Sequence, residues 1–381
     1  MSEWKKVSLS EMGIVSRGKS KHRPRNDTRL YGGRYPFIQT GDIGAAGLYV
    51  TDYSQTYNEE GLAQSKLWEK NTLCITIAAN IADTALLAFP ACFPDSIMGF
   101  VPHKDVANVK YVKYCFDILK KDCQQISQGT AQDNLSWKKL STIKFPCPPL
   151  EVQNRIATIL SRYDLLIENY QKQIKLLEEA AQRLYKEWFV DLHFPGHENT
   201  KIVDGVPEGW TPSQLGQLVE FKRGKTITKK DVIDGDIPVV AGGLEPAYYC
   251  NKSNTAERVI TVSGSGANAG FTRMYFEKVW ASDCSFVDAS TTPFLHFVYC
   301  FLKDNKTRID HLQKGAAQPH VYAKDINSLE ICVSSESVLK SFEEKVSKCF
   351  DTIASLQSQL RLLTEARDRL LPKLMRGEIS V

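Results

Sequence analysis

The chain has 381 residues, of which 43% are hydrophobic and 24% are charged, and it carries a formal net charge of +4. These values are typical of a protein with two or three globular domains, and they exclude a wholly disordered chain. No apolar run approaches the roughly 18 residues that cross a bilayer, and the polar start MSEWKK predicts no signal peptide, so a cytoplasmic protein without a membrane partner is expected.

The chain contains an internal repeat. The motif WKKVSLSEMGIVSRGKS at residues 4–20 returns as WTPSQLGQLVEFKRGKT at residues 210–226, an offset of 206. Later matches keep an offset of 186, as between GTAQ at residues 129–132 and GAAQ at residues 315–318. One offset kept over many matches predicts two copies of a module, of which the first is about 20 residues longer in its middle.

Each copy begins with a strand-rich module. Short apolar runs at residues 73–77, 259–262 and 278–281 are separated by Gly, Asn, Asp and Ser, which predicts strands joined by turns. A shorter helix is expected near residues 109–123 in the first copy and near residues 293–304 in the second. Each module is therefore predicted to mix strands and helices.

Each copy ends in a long helix. Apolar residues recur at alternating steps of three and four from Ile156 to Trp188 and from Phe342 to Leu374, which is the heptad seam of a coiled coil. Only Arg367 interrupts the second seam, and Pro372 predicts a break or a bend. Each helix could pack on its own module alone, but seams of this length favour an antiparallel pairing of the two helices.

No motif in the chain predicts catalysis. The glycine-rich stretch at residues 263–270 lacks the spacing of a dinucleotide or P-loop motif, so a turn is expected there. His193 and His197 are separated by Pro-Gly, which excludes the helix that would align them on a metal, and no metal site is expected. The ten cysteines form no CxxC pair and are expected to pack as reduced, small apolar side chains.

Basic side chains cluster at the start of each module. Residues 1–34 hold nine Lys and Arg against three acids, and residues 221–230 hold five with no acid. An isolated charge run is usually a solvated surface, but its recurrence favours DNA binding, with Lys and Arg at phosphates and polar side chains at base edges. The predicted DNA-binding residues are Arg17, Lys19, Lys21, Arg23, Arg25, Gln39, Thr40, Gln132, Asn134, Lys138, Lys222, Arg223, Lys225, Thr226, Lys229, Lys230, Gln318, His320 and Lys324.

Longer motifs resemble one known family. They are GTAQDNLSWKKLSTIKFPCPPLEVQNRIA at residues 129–157, EWFVDLHFP at 187–195, EGW at 208–210 and LLPKLMRGEISV at 370–381. With the duplicated plan, they make essentially the whole chain resemble the specificity (S) subunit of type I restriction–modification systems. The second copy departs from the pattern, because ICVSSESVL stands where the first has FPCPPLEVQ, and it therefore lacks the proline-marked entry to its helix.

The resemblance implies an α+β fold with two target-recognition domains in a tandem pseudo-two-fold repeat, each followed by a long helix, the helices pairing as an antiparallel coiled coil. The expected divisions are domain 1 at residues 1–150, the central helix at 151–190, a linker at 191–209, domain 2 at 210–335, and the C-terminal helix and tail at 336–381. Residues 20–41 and 226–243 would lie close to DNA.

The resemblance also implies a function. Each domain would read one half of a bipartite site in double-stranded DNA, and two methyltransferase (M) subunits and the restriction (R) subunits would methylate adenine or cleave. The chain itself would be no enzyme and hold no cofactor, since S-adenosylmethionine, ATP and Mg would belong to the partner subunits. The residues alone leave two other functions open, a standalone DNA-modifying enzyme and a coiled-coil scaffold that does not touch DNA.

Overall fold

The protein is described here from a computed structural model over residues 4–78, 80–127, 135–315 and 318–381. The chain divides into two compact units. Unit 1 comprises Met1–Gln171 together with Gln359–Val381, and unit 2 comprises Lys172–Ser358. Each unit therefore combines one strand-rich module with a segment of each long helix.

The module of unit 1 mixes short strands and helices, as the sequence predicts. The strands are β1 (Lys5–Val7), β2 (Gly13–Arg17), β3 (Tyr31–Phe37), β4 (Tyr49–Val50), β5 (Gln55–Tyr57), β6 (Leu67–Trp68), β7 (Leu73–Thr76), β8 (Thr84–Leu87), β9 (Ala91–Cys92), β10 (Ile97–Pro102) and β11 (Phe145–Cys147). The helices are α1 (Leu9–Met12), α2 (Thr40–Ala45), α3 (Glu59–Ala63), α4 (Val109–Ser127), α5 (Trp137–Leu140) and the long α6 (Leu150–Phe189).

The core of this module lies on both faces of one sheet, whose strand order is β2-β10-β7-β8-β4. Successive side chains of a strand point to opposite faces, and in β7 both faces are buried. Leu73 and Ile75 pack with Phe116 of α4 in one apolar cluster. Cys74 packs in a second cluster with Trp68, beside the other sheet, ordered β5-β3-β9-β6. This double burial explains why β7 reads as a continuous apolar run.

The module of unit 2 repeats this plan. The strands are β12 (Ile202–Val203), β13 (Val206–Pro207), β14 (Thr211–Gln214), β15 (Lys222–Arg223), β16 (Ile237–Val240), β17 (Tyr248–Cys250), β18 (Val259–Ser263), β19 (Thr272–Tyr275), β20 (Trp280–Ala281), β21 (Cys284–Asp288) and β22 (Glu330–Val333). The helices are α7 (Leu215–Leu218), α8 (Leu295–Asp304), α9 (Lys306–His311), α10 (Ala323–Asn327) and the long α11 (Glu336–Met375).

Strand order and register confirm the repeat. The order β15-β21-β18-β19 in unit 2 matches β2-β10-β7-β8 in unit 1, and β17-β16-β20 matches β5-β3-β9. Lys5 pairs with Cys147 between β1 and β11, and Thr211 pairs with Val333 between β14 and β22. Thr211 lies 206 residues after Lys5, and Val333 lies 186 residues after Cys147, which are the two offsets seen in the sequence. The repeat therefore extends to individual strand-paired residues.

The long helices pack on each other within each unit, and the direction is antiparallel in both. In unit 1, Ile156 near the start of α6 lies in one buried cluster with Leu374 near the end of α11. In unit 2, the ring centroid of Trp188 near the end of α6 lies 5.9 Å from that of Phe342 near the start of α11. The alternative in which each helix packs only on its own module is therefore wrong.

Of the break or bend predicted at Pro372, the break does not occur, because α11 continues to Met375 with that proline inside it. A proline removes one backbone donor and disfavours a helix interior. Here the loss is offset by burial beyond it, since Leu374 is 0% and Met375 is 4% exposed in the core of unit 1. Within the described residues, no helix has both the length and the apolar character that a bilayer crossing requires.

Candidate nucleic-acid interface

The Arg-Gly-Lys turn of unit 1 is held against the loop after β9. The N–H of Lys19 donates to the carbonyl of Phe93 at 3.0 Å. A Cβ atom on Gly18 would lie 2.2 Å from the carbonyl oxygen of Pro94, so the position accepts only glycine. Arg17 is exposed beside this turn. The glycine thus explains the close approach of the two loops, and the basic side chains flank the contact.

Unit 2 builds the same turn with the same bonds. The N–H of Lys225 donates to the carbonyl of Ala281 at 2.9 Å, and a Cβ atom on Gly224 would lie 2.4 Å from the carbonyl oxygen of Ser282. Arg223 and Lys225 are both exposed. The recurrence of Arg-Gly-Lys therefore has a structural cause at glycine, and the basic neighbours are a separate feature shared by the two units.

In the fold, two acidic residues from elsewhere in the module lie next to the first basic patch, which is the cluster of Lys and Arg in residues 1–34. Asp95, in the loop between β9 and β10, lies 3.7 Å from Arg23 and 2.5 Å from Arg25. Glu59 at the start of α3 lies 3.1 Å from Arg34. Neither acid belongs to residues 1–34, so the charge of the patch is smaller than its sequence count. All five side chains are substantially exposed, and such pairs exchange readily for other partners.

Asp27 is paired within the patch itself. Its carboxylate accepts from the side chain of Arg29 at 2.7 Å and lies 2.8 Å from Nε2 of His22. The hydrogen bond from the Arg29 side chain, with that from its backbone N–H, holds the pKa of Asp27 well below its usual range. Asp27 therefore stays ionised at neutral pH and compensates Arg29.

The basic groups left without an acid are the strongest candidates for phosphate contacts. Among the described residues, no carboxylate lies within 4.0 Å of the charged groups of Arg17, Lys19 or Lys21. Arg17 instead donates through Nε to the backbone carbonyl of Asp95 at 3.1 Å. Of the five predicted DNA-binding cations in residues 17–25, these three have no carboxylate partner among the described residues, whereas Arg23 and Arg25 are compensated.

A segment that the sequence reasoning missed fixes the backbone of this patch. Oε1 of Gln64 accepts from the N–H groups of Lys21 at 2.6 Å and His22 at 3.0 Å. Oγ of Ser65 donates to the carbonyl of Lys19 at 2.6 Å. The next residue, Lys66, brings a further cation to the patch, 3.5 Å from Oγ of Ser16 beside Arg17. No local signal marks this segment, because it joins the patch only through a contact some 45 residues away in sequence.

Gln39 and Thr40 lie at the same edge of the module as the Arg-Gly-Lys turn. The N–H of Ile38 donates to the carbonyl of Cys92 at 2.8 Å, next to the residue that binds Lys19. Nε2 of Gln39 donates to Oε1 of Gln55 at 2.7 Å, and its backbone N–H donates to Asp42. Both predicted residues are half-buried, and the amide of Gln39 is already partly engaged within the module.

In unit 2 the loop at the module end joins the basic turn through the glycine-rich stretch. Arg223 lies 4.0 Å from Asp283, whose carboxylate accepts a short hydrogen bond from Ser265. Ser265 forms an antiparallel bridge with His320, and the N–H of Gly266 donates to the carbonyl of Pro319 at 3.0 Å. The stretch at residues 263–270 is a turn before β19, as predicted, and it connects two regions that the sequence analysis singled out separately.

The remaining predicted residues lie at several places. Gln318 is exposed next to this bridge, while Lys138 and Lys324 are exposed on α5 and α10. Thr226, Lys229 and Lys230 are exposed after the second turn. Among the described residues, no carboxylate lies within 4.0 Å of Lys222, Lys225, Lys229 or Lys230. Gln132 and Asn134 lie outside the described residues.

The side chains considered as metal ligands or as thiols are the two histidines His193 and His197 and the ten cysteines. The rings of His193 and His197 are 5.3 Å apart, because a turn with Gly196 in a left-handed conformation folds one towards the other. In the part of the chain that the structure describes, no group of three His, Cys, Asp or Glu is placed to hold a metal ion. The cysteines are free thiols, and seven of the ten are buried, which confirms that they pack as small apolar side chains.

Comparison with known proteins identifies the family. A family profile described as type I restriction modification DNA specificity domain matches residues 1–179 and again residues 207–336. The chain is 26% identical over 410 residues to the type I restriction enzyme MjaIX specificity subunit of Methanocaldococcus jannaschii, covering all of this chain and 94% of that protein. It is 22% identical over 470 residues to the HindI specificity subunit of Haemophilus influenzae, covering both chains in full.

A solved structure agrees with the fold. The crystal structure of a type I restriction–modification S subunit from M. genitalium matches with a TM-score of 0.68 at 17% identity, covering 97% of this chain and 96% of that one. At that identity the likeness speaks for the fold, and the two profile matches speak for the family. The chain therefore belongs to the type I restriction–modification DNA specificity family, and its two copies of the domain in tandem make it a specificity subunit.

Proposed function

We propose that the chain reads DNA with two faces of the same construction, one on each recognition domain. The observation that carries this proposal is the repeated Arg-Gly-Lys turn, which both units hold with equivalent backbone hydrogen bonds and flank with exposed cations. Exposed Lys and Arg next to a rigid loop suit the phosphate backbone, which fixes the position of a protein on DNA without specifying sequence.

Base reading then falls to the polar loops beside these turns. In unit 2 these are Gln318 and His320, which the glycine-rich stretch holds next to Arg223 through Ser265 and Asp283. Each domain reads one half of a bipartite site, and the linkage of two modest interfaces in one chain raises the affinity for the whole site. The two faces differ in their loops, so the two half-sites differ in sequence.

The catalytic work is assigned to partner subunits. The chain acts in the cytoplasm as a non-catalytic subunit that directs adenine methylation by M subunits and cleavage by R subunits. S-adenosylmethionine, ATP and Mg are held by those partners. The family membership and the absence of a catalytic motif in the sequence support this division.

Equivalent leucines on the two long helices are candidate anchors for two M subunits. Leu176 on α6 is 54% exposed, and Leu362 on α11 is 55% exposed. They are 186 residues apart, the offset of the repeat, so each unit presents one exposed leucine at the same structural position. The recurrence of this exposed apolar side chain in both units supports the assignment, because a repeated anchor fits two copies of one partner.

The DNA proposal is tested by affinity measured at several salt concentrations with the full chain and its M partners. Replacing Lys19 and Lys21 with alanine is expected to weaken binding to all DNA sequences and to reduce the salt slope by about 1.8, since each phosphate contact contributes about 0.9. Replacing Lys225 and Lys222 is expected to act alike through the second face. Lys201→Ala, an exposed cation between the modules, is the control. An unchanged slope in both double variants would refute the proposed faces.

The M-subunit anchors are tested by the stoichiometry of the assembly. In native mass spectrometry, Leu176→Ser and Leu362→Ser are each expected to lower the assembly from two M subunits to one, and the double variant is expected to bind none. Leu244→Ser removes a leucine of similar exposure, 49%, from the module of unit 2 and serves as the matched control. Two M subunits retained in the double variant would exclude these anchors.

A further inference from the structure

The one charged residue in the apolar seam of α11 has a buried partner. Nη1 of Arg367 donates to Oδ1 of Asp164 on α6 at 3.0 Å. The other carboxylate oxygen, Oδ2, accepts from the hydroxyl of Tyr114 on α4 at 2.5 Å. The side chain of Asp164 is 8% exposed and that of Arg367 is 28% exposed. Arg367 also lies 2.8 Å from Asp368 on its own helix. In unit 1, therefore, a charged pair with an additional hydrogen bond lies within the contact between the two helices, and Asp164 is its buried member.

The repeat places apolar residues at the same positions of unit 2. A shift of 186 carries Tyr114 to Cys300 and Asp164 to Phe350, and the reverse shift carries Arg367 to Ala181. Ala181, Cys300 and Phe350 are all buried in one apolar cluster of unit 2. The same helix contact is therefore made with an ion pair in unit 1 and with buried apolar side chains in unit 2.

This asymmetry matters because the two helices are otherwise alike. Their seams share residues at the repeat offset, such as Leu177 with Leu363 and Leu184 with Leu370. Apolar seams of matching residues pair with little discrimination, so α6 could equally pair with the α6 of a second chain. Polar residues at single seam positions are the usual device by which helix pairs specify a partner.

A pairing of two α6 helices leaves the buried charge of Asp164 without its ionic partner. Position 181 is the repeat equivalent of position 367, so an antiparallel pair of two α6 helices in the same register sets Ala181 opposite Asp164. A pair of two α11 helices sets Phe350 opposite Arg367, which then loses Asp164 and keeps only Asp368 of its own helix. Removing one partner from a buried ion pair is strongly unfavourable, because the remaining charge stays desolvated.

We propose that the Asp164–Arg367 pair selects the partner of each long helix. It favours α6 with α11, and it disfavours association of either helix with its own copy in a second molecule of this chain. The apolar contact of unit 2 supplies burial without this choice. The pair thereby favours assembly of the two recognition domains of one chain with each other over exchange with a second chain, and this effect does not depend on what the domains bind.

Charge reversal in full-length chains tests this assignment. One chain carries Arg367→Asp and so has two aspartates at the contact, and a second carries Asp164→Arg and has two arginines. A third chain carries both changes and restores opposite charges with the order reversed, which makes it the matched control. Each is unfolded in urea and refolded at about 10 μM, alone or in an equimolar mixture with different affinity tags, and the assemblies are weighed by light scattering.

The expected result is complementation between chains. The mixture of single variants forms a one-to-one complex, because exchanged helices bring aspartate to arginine at both contacts, and this complex is on the order of 100-fold tighter than either self-complex. The double variant stays monomeric like the unaltered chain. The proposal is overturned if the single variants refold as stable monomers that ignore each other, or if they misfold alone and the mixture does not rescue them. DNA binding is not read out, so failure here leaves the proposed function untouched.

Discussion

Asp95 offers a sharp test of the charge balance at the first basic patch. Its carboxylate holds Arg25 at 2.5 Å and lies 3.7 Å from Arg23, so it competes with a phosphate for both guanidinium groups. Asp95→Asn keeps the shape of the side chain and removes the charge. We expect this substitution to strengthen DNA binding, although a charged residue next to a binding surface is lost.

The magnitude follows from the two ion pairs. All three side chains are 39% to 54% exposed, and exposed pairs of this kind contribute about 0.2–1 kcal/mol each. Release of both therefore amounts to about 1 kcal/mol, which is about a fivefold gain in affinity at low salt. If both arginines then bind phosphates, the salt slope steepens by about 1.8, because each new contact adds about 0.9.

The assay is fluorescence anisotropy of a labelled duplex titrated with the full chain and its M subunits at 50–200 mM salt. Asp105→Asn, which neutralises an exposed carboxylate outside this cluster, changes the net charge by the same amount and is the control. Equal gains for both substitutions would mean that only net charge matters. No gain for Asp95→Asn would mean that Arg23 and Arg25 do not face DNA, and the reasoning would be refuted.

Three further outcomes are expected from the same geometry. Gly18→Ala forces a Cβ atom to 2.2 Å from a backbone oxygen and should lower the free energy of unfolding in urea by about 2 kcal/mol or more, whereas Gly41→Ala, with no atom within 4 Å, should leave it nearly unchanged. Because Arg29 lowers the pKa of Asp27, the ion pair stabilises the fold at pH values above the ordinary carboxyl pKa, and this stabilisation is lost as the pH falls through the pKa of the folded state. The stability of Asp27→Asn, measured by unfolding at several acidic pH values, should lack this part of the pH dependence. An unaltered pH dependence would argue against the pair. Burial raises the thiol pKa, to about 12 for Cys123 and Cys284. A thiol reagent should therefore label the folded chain rapidly only at the three half-buried cysteines, which are Cys147, Cys332 and Cys349. Labelling of all ten cysteines before unfolding would contradict their packing.

Periodic and repeated features could be predicted from the chain alone. The heptad seams require no tertiary information, because burial of one helix face imposes a spacing of three and four on the residues themselves. The helices at residues 109–123 and 293–304 were expected and are observed as α4 and α8. The offsets of 206 and 186 reappear as strand partners, since a repeated sequence repeats its local pairings.

The continuation of α11 through Pro372, where a break or a bend is predicted, shows where local rules end. Pro372 is a helix breaker by its own chemistry, but α11 passes through it, because the buried residues beyond it belong to the core of unit 1. The hydrogen bond that Pro372 removes destabilises the helix, and this effect can be predicted from the local sequence. The gain from burying Leu374 and Met375 depends on what the rest of the chain places around them, which no local window contains.

The sequence by itself determined the two-module plan, the long helices and the family, since all three are written in periodicity, offset and motif. Only the tertiary structure decided which charges are free, because Asp95 and Glu59 reach the basic patch from outside its own segment. Only tertiary structure turned Arg367 from an interruption of a seam into the ionic partner of the buried Asp164. The physical reason is common to these cases: the energy of a charge depends on its neighbours in space, and folding chooses those neighbours.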